Sequence, residues 1–333
     1  MKRRILACAI TAMALVVALS VPADAANSLA QIQAKVLALQ DEATSAAEGV
    51  QEAKVRLATL TRTLNGIKAK AAVQGQTLSK LQKSLQSIAI EQYKAGGLGQ
   101  SLELLFSSDP ALYLSSAGAL DALSRRKSAQ LRKYEAAQQR LDATTMTVND
   151  KLALVAATEK KLKAQSAIAK AKLAQAEAIL SKLTKAERER LAKLASDKEN
   201  ADQASSQALA KKVSKFSGRG GVALKFALAQ LGDRYVFGAA GMVTWDCSGL
   251  TMRAFKVAGV SLPHSAAAQA QLGKPIQFKY LRPGDLLFYG RPISHVSIYL
   301  GGGKMVHAPR TGSRVKIAGL SLGSKPYVGA RRY

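Results

Sequence analysis

Apolar residues recur in alternating steps of three and four from Leu29 and Ile32, through Val36, Leu39, Val50, Leu64 and Leu78, to Leu85 and Ile88, and only Gln74 breaks the series. Such a step keeps one stripe on one side of a helix, so it predicts a coiled-coil helix over residues 28–95, roughly 100 Å long at about 1.5 Å per residue. A second, weaker series runs from Val148 and Leu152 to Leu180 and Leu183, with polar breaks at Glu159 and Ser166. Between them lies "YKAGGLGQSLELLFSSDPALYL", where Gly96, Gly97 and Gly99 interrupt a helix and Asp109-Pro110 supplies a cap followed by proline at the first helical position. Two long helices joined by a short irregular stretch predict an antiparallel hairpin with its tip near 96–117. Its second arm, about 110 to 213, is the longer one, with a bend expected at the β-branched run "ATTMTVND". The extra length either folds back or reaches toward a second domain.

After "SKFSGRGG", read as a linker, the pattern changes. From Phe216 onward lie 13 of the 17 aromatic residues, enough with the other apolar positions to close one small core over residues 216–333. Helices are expected at 222–231 and 248–258, then short strands in "GDLLFYG", "HVSIYLG", "KMVHAP", "RVKIAG" and "YVGARRY". Helices first and strands afterward predict an α+β domain with a largely antiparallel sheet.

Residues 1–25 place Lys2, Arg3 and Arg4 before an apolar run from Ile5 to Val21 and the triplet Ala23-Asp24-Ala25, the layout of a secretory signal peptide. Retention as an anchor is the alternative, since the run of 17 residues reaches the lower edge of the roughly 17–25 that span a bilayer. The division is therefore signal peptide 1–25, coiled-coil region 26–215 and compact domain 216–333. Cleavage would take Cys8 away and leave Cys247 alone in a secreted or cell-wall-associated chain, where paired cysteines become disulfides. A lone exported thiol is an intermolecular bridge, an inert buried group or a nucleophile.

Formal charge is +12 over residues 27–215 and +13 over 216–333. That excess suits a polyanionic partner, which outside a cell means anionic wall polymers, peptidoglycan carboxylates or a phospholipid surface. Nucleic acid is not expected, because the chain is exported and its arm lacks a concentrated basic block. The apolar tip patch of Leu102, Leu104, Leu105, Phe106, Leu112 and Tyr113 is either a local cap or a docking surface for a partner.

The stretch "DCSGLTMRAFKVAG" makes Asp246 an N-cap and Cys247 the first helical residue, where backbone N–H groups and the helix dipole favour thiolate and should lower the thiol pKa. A nucleophile needs a base, and the chain has three histidines: His264, His295 and His307. The last two begin and end strands joined across Gly301-Gly302-Gly303, and an odd loop without a bulge would put them on one face. One ring could then take the thiol proton while the other fixed its tautomer. His264, after Pro263 in a loop, reads as an ordinary polar residue. No closely spaced ligand pair supports a metal site and no Gly-rich phosphate loop is present, so no cofactor is expected.

Together "YVFGAAGMVTWDCSGLTMRAFKVAGVSLPHSAAAQ", "LRPGDLLFY", "HVSIYLGGGKMVHAP" and "RVKIAG" resemble the NlpC-type cysteine peptidases, bacterial cell-wall endopeptidases, over residues 216–333. The resemblance implies a small papain-like fold. It implies Cys247 as nucleophile, His295 as general base, His307 as the residue orienting it, and Tyr235, Asp246 and Ser248 at substrate-contacting positions. It further implies a peptidoglycan stem peptide as substrate, cut between γ-linked D-glutamate and a diamino acid. This chain departs from the family pattern at Ala239-Ala240, at His264 where arginine is frequent, and at Ser297 where glycine is usual. The arm is similar to the coiled coils of exported wall hydrolases, which restrain a catalytic domain or meet membrane division machinery, and this resemblance implies a membrane division protein as partner of the tip; an activator or scaffold with a weakly active or inactive catalytic domain is the alternative.

Overall fold

The computed structural model describes residues 23–94, 110–212, 216–323 and 325–333. The expected signal peptide up to residue 22, with Cys8, and the tip residues 95–109 lie outside the described residues. Helices α1 (Ala23–Lys94) and α2 (Pro110–Ser181) run antiparallel: Glu42 pairs with Lys172, Glu52 with Lys161, and Gln92 with Lys127, so numbers rise on one helix as they fall on the other. The stripe read from the sequence is the one that goes inside. Val36, Leu39, Ala43, Ala46, Val50, Ala53 and Leu64 are buried, and the seam beyond Leu64 is half-buried out to Ile88, as a two-helix arm requires. No helix among the described residues is long and apolar enough to cross a membrane.

Helix α2 is continuous through "ATTMTVND", where a bend was expected. The Thr144 and Thr147 hydroxyls donate to the carbonyls of Arg140 and Ala143 at 2.8 and 2.9 Å, so they bond within the helix instead of competing with it. The chain turns at Lys182–Thr184 instead. There Thr184 opens α3 (Lys185–Lys211) with a capping box: the Glu187 N–H donates to Thr184 Oγ1, and the Thr184 N–H donates to the Glu187 carboxylate. This helix carries the arm's extra length to the compact domain.

That domain opens with α4 (Gly218–Ala229), which begins inside the stretch read as a linker. Its glycines are packing glycines. A Cβ on Gly220 would lie 3.2 Å from the Gly284 backbone, and one on Gly221 would lie 2.8 Å from Phe216. A parallel pair, β1 (Arg234–Tyr235) and β2 (Thr244–Trp245), leads into α5 (Cys247–Val257) and the short α6 (Ala266–Gln269). Six strands follow: β3 (Lys274–Ile276), β4 (Leu286–Tyr289), β5 (His295–Gly301), β6 (Lys304–His307), β7 (Lys316–Gly319) and β8 (Tyr327–Arg332). They form one antiparallel sheet ordered β3-β8-β4-β5-β6-β7. Helices α4 and α5 cover one face, where Leu224, Leu250 and Phe255 meet Val296, Ile298 and Val306, all fully buried. On the other face Leu287, Tyr289 and Met305 make a smaller core.

Helix α3 lies along β7. Ser206 Oγ accepts from the Ile317 N–H at 2.9 Å, and Gln203 Nε2 donates to the Val315 carbonyl at 3.2 Å. The Glu199 carboxylate accepts from the Ser313 hydroxyl, the Arg314 N–H and Lys316 Nζ. The arm is thereby tied to the compact domain through both α3 and α1.

Candidate active site

The site begins with strand register. Strands β5 and β6 pair Ile298 with Val306 and Tyr299 with Met305, which puts the odd-numbered residues of both strands, His295 and His307 among them, on one face. The route differs from the expected odd loop without a bulge. The turn is Gly302-Gly303, and one extra residue is bulged in between Tyr299 and Gly301. A two-residue turn alone would propagate the Gly301–Lys304 pairing and split the histidines between faces; the bulge restores their parity. Gly301, Gly302 and Gly303 have φ of +106°, +56° and +69°, values that glycine adopts without strain. As a result His295 Nε2 stands 2.9 Å from His307 Nδ1, with the rings edge to face.

Asp246 caps α5, its Oδ1 accepting from the Gly249 N–H at 2.6 Å, so Cys247 is the first residue of that helix. The Cys247 side chain is fully buried, and its sulfur accepts from the backbone N–H of Val296, the neighbour of His295. The thiol itself donates to a residue the sequence reading did not single out. Glu48 of α1 enters the cleft with Oε1 at 3.1 Å from Cys247 Sγ and 2.7 Å from Ser248 Oγ, and its Oε2 accepts from the Ala266 N–H at 2.9 Å. His295 Nδ1 has no hydrogen-bond partner among the described residues.

Glu48 belongs to a polar stripe on α1, beside the apolar seam. Asp41 accepts from Arg310 at 3.3 Å, Thr44 is hydrogen-bonded to the Tyr235 hydroxyl, and Gln51 reaches Gly238. Thr44, Glu48 and Gln51 are all buried. The signal for this second face is visible in "DEATSAAEGVQEA": the polar residues Asp41, Thr44, Glu48 and Gln51 repeat the three-four step beside the seam.

His264 is the other residue that sequence reasoning passed over. Its Nε2 is 2.8 Å from both oxygens of Asp246, a half-buried ion pair at the position where the family pattern has arginine. Gln269 holds the loop in place, donating to the carbonyls of Ser248 and Pro263 and accepting from the Thr251 hydroxyl. Burial by itself would lower the His264 pKa, but the hydrogen bond and charge of Asp246, with Glu48 behind, raise it above the ordinary histidine value.

Electrostatics in this arrangement oppose the expected activation of the thiol. Burial, then the charges of Glu48 and Asp246, push Cys247 well above the ordinary thiol value, and only the Val296 N–H works the other way. Burial and Asp246 likewise raise Glu48, so its proton is retained more readily. Burial, His307 and Lys325 hold His295 well below the ordinary histidine range. His307 is lowered to about 3 by burial and by Lys316, Arg310 and Lys325. Tyr235 is pushed up by burial and by the acidic neighbours around the thiol. Of the six residues named from the sequence, Cys247 and Ser248 are hydrogen-bonded to the Glu48 carboxyl group of the arm, Asp246 and Tyr235 are charged or polar neighbours of the thiol, and the His295–His307 pair lies on the adjoining strands β5 and β6.

Residues 232–332 match the model of the NlpC/P60 family. A probable endopeptidase of Mycobacterium tuberculosis is 44% identical over 107 residues, which are 32% of this chain and 28% of that protein. The peptidoglycan endopeptidase RipA of the same species is 45% identical over 91 residues, 27% of this chain and 19% of RipA. The gamma-D-glutamyl-L-lysine dipeptidyl-peptidase of Bacillus subtilis is 40% identical over 96 residues, 27% of this chain and 32% of that protein. The match therefore spans less than a third of each of these three relatives.

Proposed function

With residues 232–332 forming a domain of the NlpC/P60 family, we propose that this chain is a secreted cysteine endopeptidase of peptidoglycan stem peptides whose helical arm governs access to the cleft. The observation that carries the reading is Cys247 at the first position of α5, against the start of β5, where His295 pairs with His307 of β6. Names of the relatives support the substrate class, and the dipeptidyl-peptidase supports the bond between γ-D-glutamate and a diamino acid.

In the proposed reaction His295 Nδ1 takes the proton of Cys247, and the thiolate attacks the carbonyl carbon of the scissile amide. His307 Nδ1 accepts from His295 Nε2–H across 2.9 Å and holds the tautomer that leaves Nδ1 free. The first-turn N–H groups of α5 have no partner within the helix, and Asp246 takes that of Gly249, so those of Cys247 and Ser248 remain for the oxyanion. The imidazolium returns its proton to the leaving amine, and water then hydrolyses the acyl-enzyme. Tyr235, Asp246 and Ser248 line the acyl side of the cleft, where Glu48 now sits.

None of this proceeds while Glu48 holds the thiol, so the arm must lift first. The test is release of new amino groups from soluble peptidoglycan fragments by the full chain, its Glu48→Ala variant and a Glu48→Ala/Cys247→Ala double variant. Release by the single variant, abolished in the double one, supports the reading. Equal release by the two variants removes Cys247 as nucleophile, and no release by any of the three removes the peptidase.

A further inference from the structure

The proposed base role fixes protons one step farther than the reaction uses them. If His295 Nδ1 carries the lone pair, its proton lies on Nε2 and is donated to His307 Nδ1. The proton of His307 then lies on its own Nε2. That atom is buried without a hydrogen-bond partner among the described residues, in a ring only 4% exposed. Buried N–H groups without an acceptor are rare enough in folded proteins to need a reason.

Both histidines line a cavity of about 240 Å³ whose lining does not include Cys247. Its charged lining is Asp41, Arg310, Lys316 and Lys325. Lys316 is held by Glu199 and Asp202 of α3, at 3.3 and 2.8 Å. Arg310 is held by Asp41 of α1 at 3.3 Å. Lys325 has no ion pair among the described residues. A water molecule could accept from His307, but it would leave Lys325 without a counter-charge. A small anion meets both needs, because it accepts from the imidazole and pairs with Lys325.

We infer that this cavity is a binding site for a small oxyanion, a carboxylate or a phosphate, which accepts a hydrogen bond from His307 Nε2–H and is held by Lys325 and, once the arm lifts, by Arg310. The tautomer in this inference rests on the peptidase reading; the cavity and its cations do not. A further observation points the same way. Asp41 and Glu48 stand two helical turns apart on one face of α1, so the arm already presents one carboxylate to the thiol and another to the rim of this cavity. The arm thus carries in its own sequence the chemistry that the cavity accommodates. A bound anion would also offset the field of the three cations on the His307–His295 pair, leaving His295 the stronger base.

The source is either free phosphate or a carboxylate of the wall peptide lying in the cleft, and one titration separates them. The full chain carrying Cys247→Ala, which cannot turn over, has three histidines whose ring nitrogens can be followed by NMR. Inorganic phosphate and, separately, acetate are titrated at constant ionic strength. A saturable shift at His307 Nε2 is expected, weakened at least about tenfold by Lys325→Ala through loss of a charge-assisted bond. Asp41→Asn should instead tighten binding several-fold by freeing Arg310, an opposite sign that a purely structural role would not produce. Saturation by phosphate assigns the free ion, whereas saturation by acetate alone assigns a peptide carboxylate. A linear, unsaturable response means an adventitious ion only, and it overturns the inference, as does an affinity indifferent to Lys325→Ala. Because binding is read in an inactive chain, it can stand if amino-group release fails. Conversely, release by Glu48→Ala without any anion shift would sink this inference alone.

Discussion

The sharpest consequence of the structure is the effect of Glu48→Ala on the reactivity of Cys247. In the closed arrangement the thiol is fully buried, so an alkylating reagent reaches it only when the arm lifts. The carboxyl group makes three hydrogen bonds across the interface, at 3.1, 2.7 and 2.9 Å. At about 1 kcal/mol net for each, their loss weakens closure by about 2–4 kcal/mol, because alanine also leaves the Ala266 N–H without a partner when closed and the Ser248 hydroxyl with only its longer bond to Asp246, at 3.4 Å. That lowers the closed-to-open ratio by roughly 30- to 1000-fold. Iodoacetamide labelling of the full chain at pH near 8 should therefore accelerate by at least about 30-fold, up to the ceiling of a fully open thiol. Glu48→Gln is the companion. Since the buried carboxyl tends toward its protonated form, the amide reproduces its shape and much of its bonding, and labelling should rise only a few-fold. Equal labelling of wild type and Glu48→Ala would refute the idea that Glu48 secures the arm, and so would a larger effect from glutamine than from alanine.

Closure should also weaken as pH rises. Glu48 has a raised value in the closed state through burial and the charge of Asp246, so it favours closure below its ordinary value and loses that contribution as pH climbs through the raised one. Hydrogen exchange of residues 40–53, normalised for intrinsic rate, should show protection falling from acid to mildly alkaline pH, with a flatter profile in a Glu48→Gln chain. The histidine pair has the opposite sign. His307, at about 3 when folded, adds stability above the ordinary histidine value of about 6.5 that is lost as pH falls toward 3, and His307→Asn should flatten the acid side of a thermal-melting profile. At the other anchor, Glu199→Ala removes acceptors for Ser313, Arg314 and Lys316 and should cost about 1–3 kcal/mol, seen as easier proteolysis between α3 and α4. Gly284 sits at φ +95° with its Cβ direction 2.4 Å from the Gly220 backbone, so Gly284→Ala should lower stability by at least about 2 kcal/mol in chemical denaturation.

Where periodicity or a cap decided the outcome, the structure could be read in the sequence. The seam from Leu29 to Ile88 is inside, Asp246 caps α5, and all five expected strands are present. Strands of two or three residues such as β1, β2 and β3 leave no periodic trace and were not foreseen. Local composition misled at the domain boundary: Gly220 and Gly221 read as a linker because only the packed fold reveals what stands against them. The active-site pattern within residues 232–332 was legible because its residues are close in sequence and the family motif is dense there. Glu48 was not, for it lies 199 residues before Cys247. His264 reads as an ordinary polar residue because it follows Pro263 in a loop, and its approach to Asp246, 18 residues earlier, is a tertiary contact.

The position of Glu48 bears on how the proposed enzyme would be held inactive. A steric plug alone would hide a reactive thiolate; this one also alters the nucleophile it covers. Glu48 brings a carboxyl group to a thiol already next to Asp246, and it completes the burial of both, so the protonated, unreactive form of Cys247 is favoured while the arm is closed. The features that would activate the thiol are present throughout: the start of α5, the Val296 N–H and the His295–His307 pair. They are outweighed rather than missing. Lifting the arm removes the acceptor at 3.1 Å and readmits water, and every change then acts in the same direction on the thiol pKa. Each unit by which that pKa falls is about 1.4 kcal/mol of differential stabilisation. Exposure and activation are therefore one event, and no rearrangement within the catalytic domain is needed to couple them.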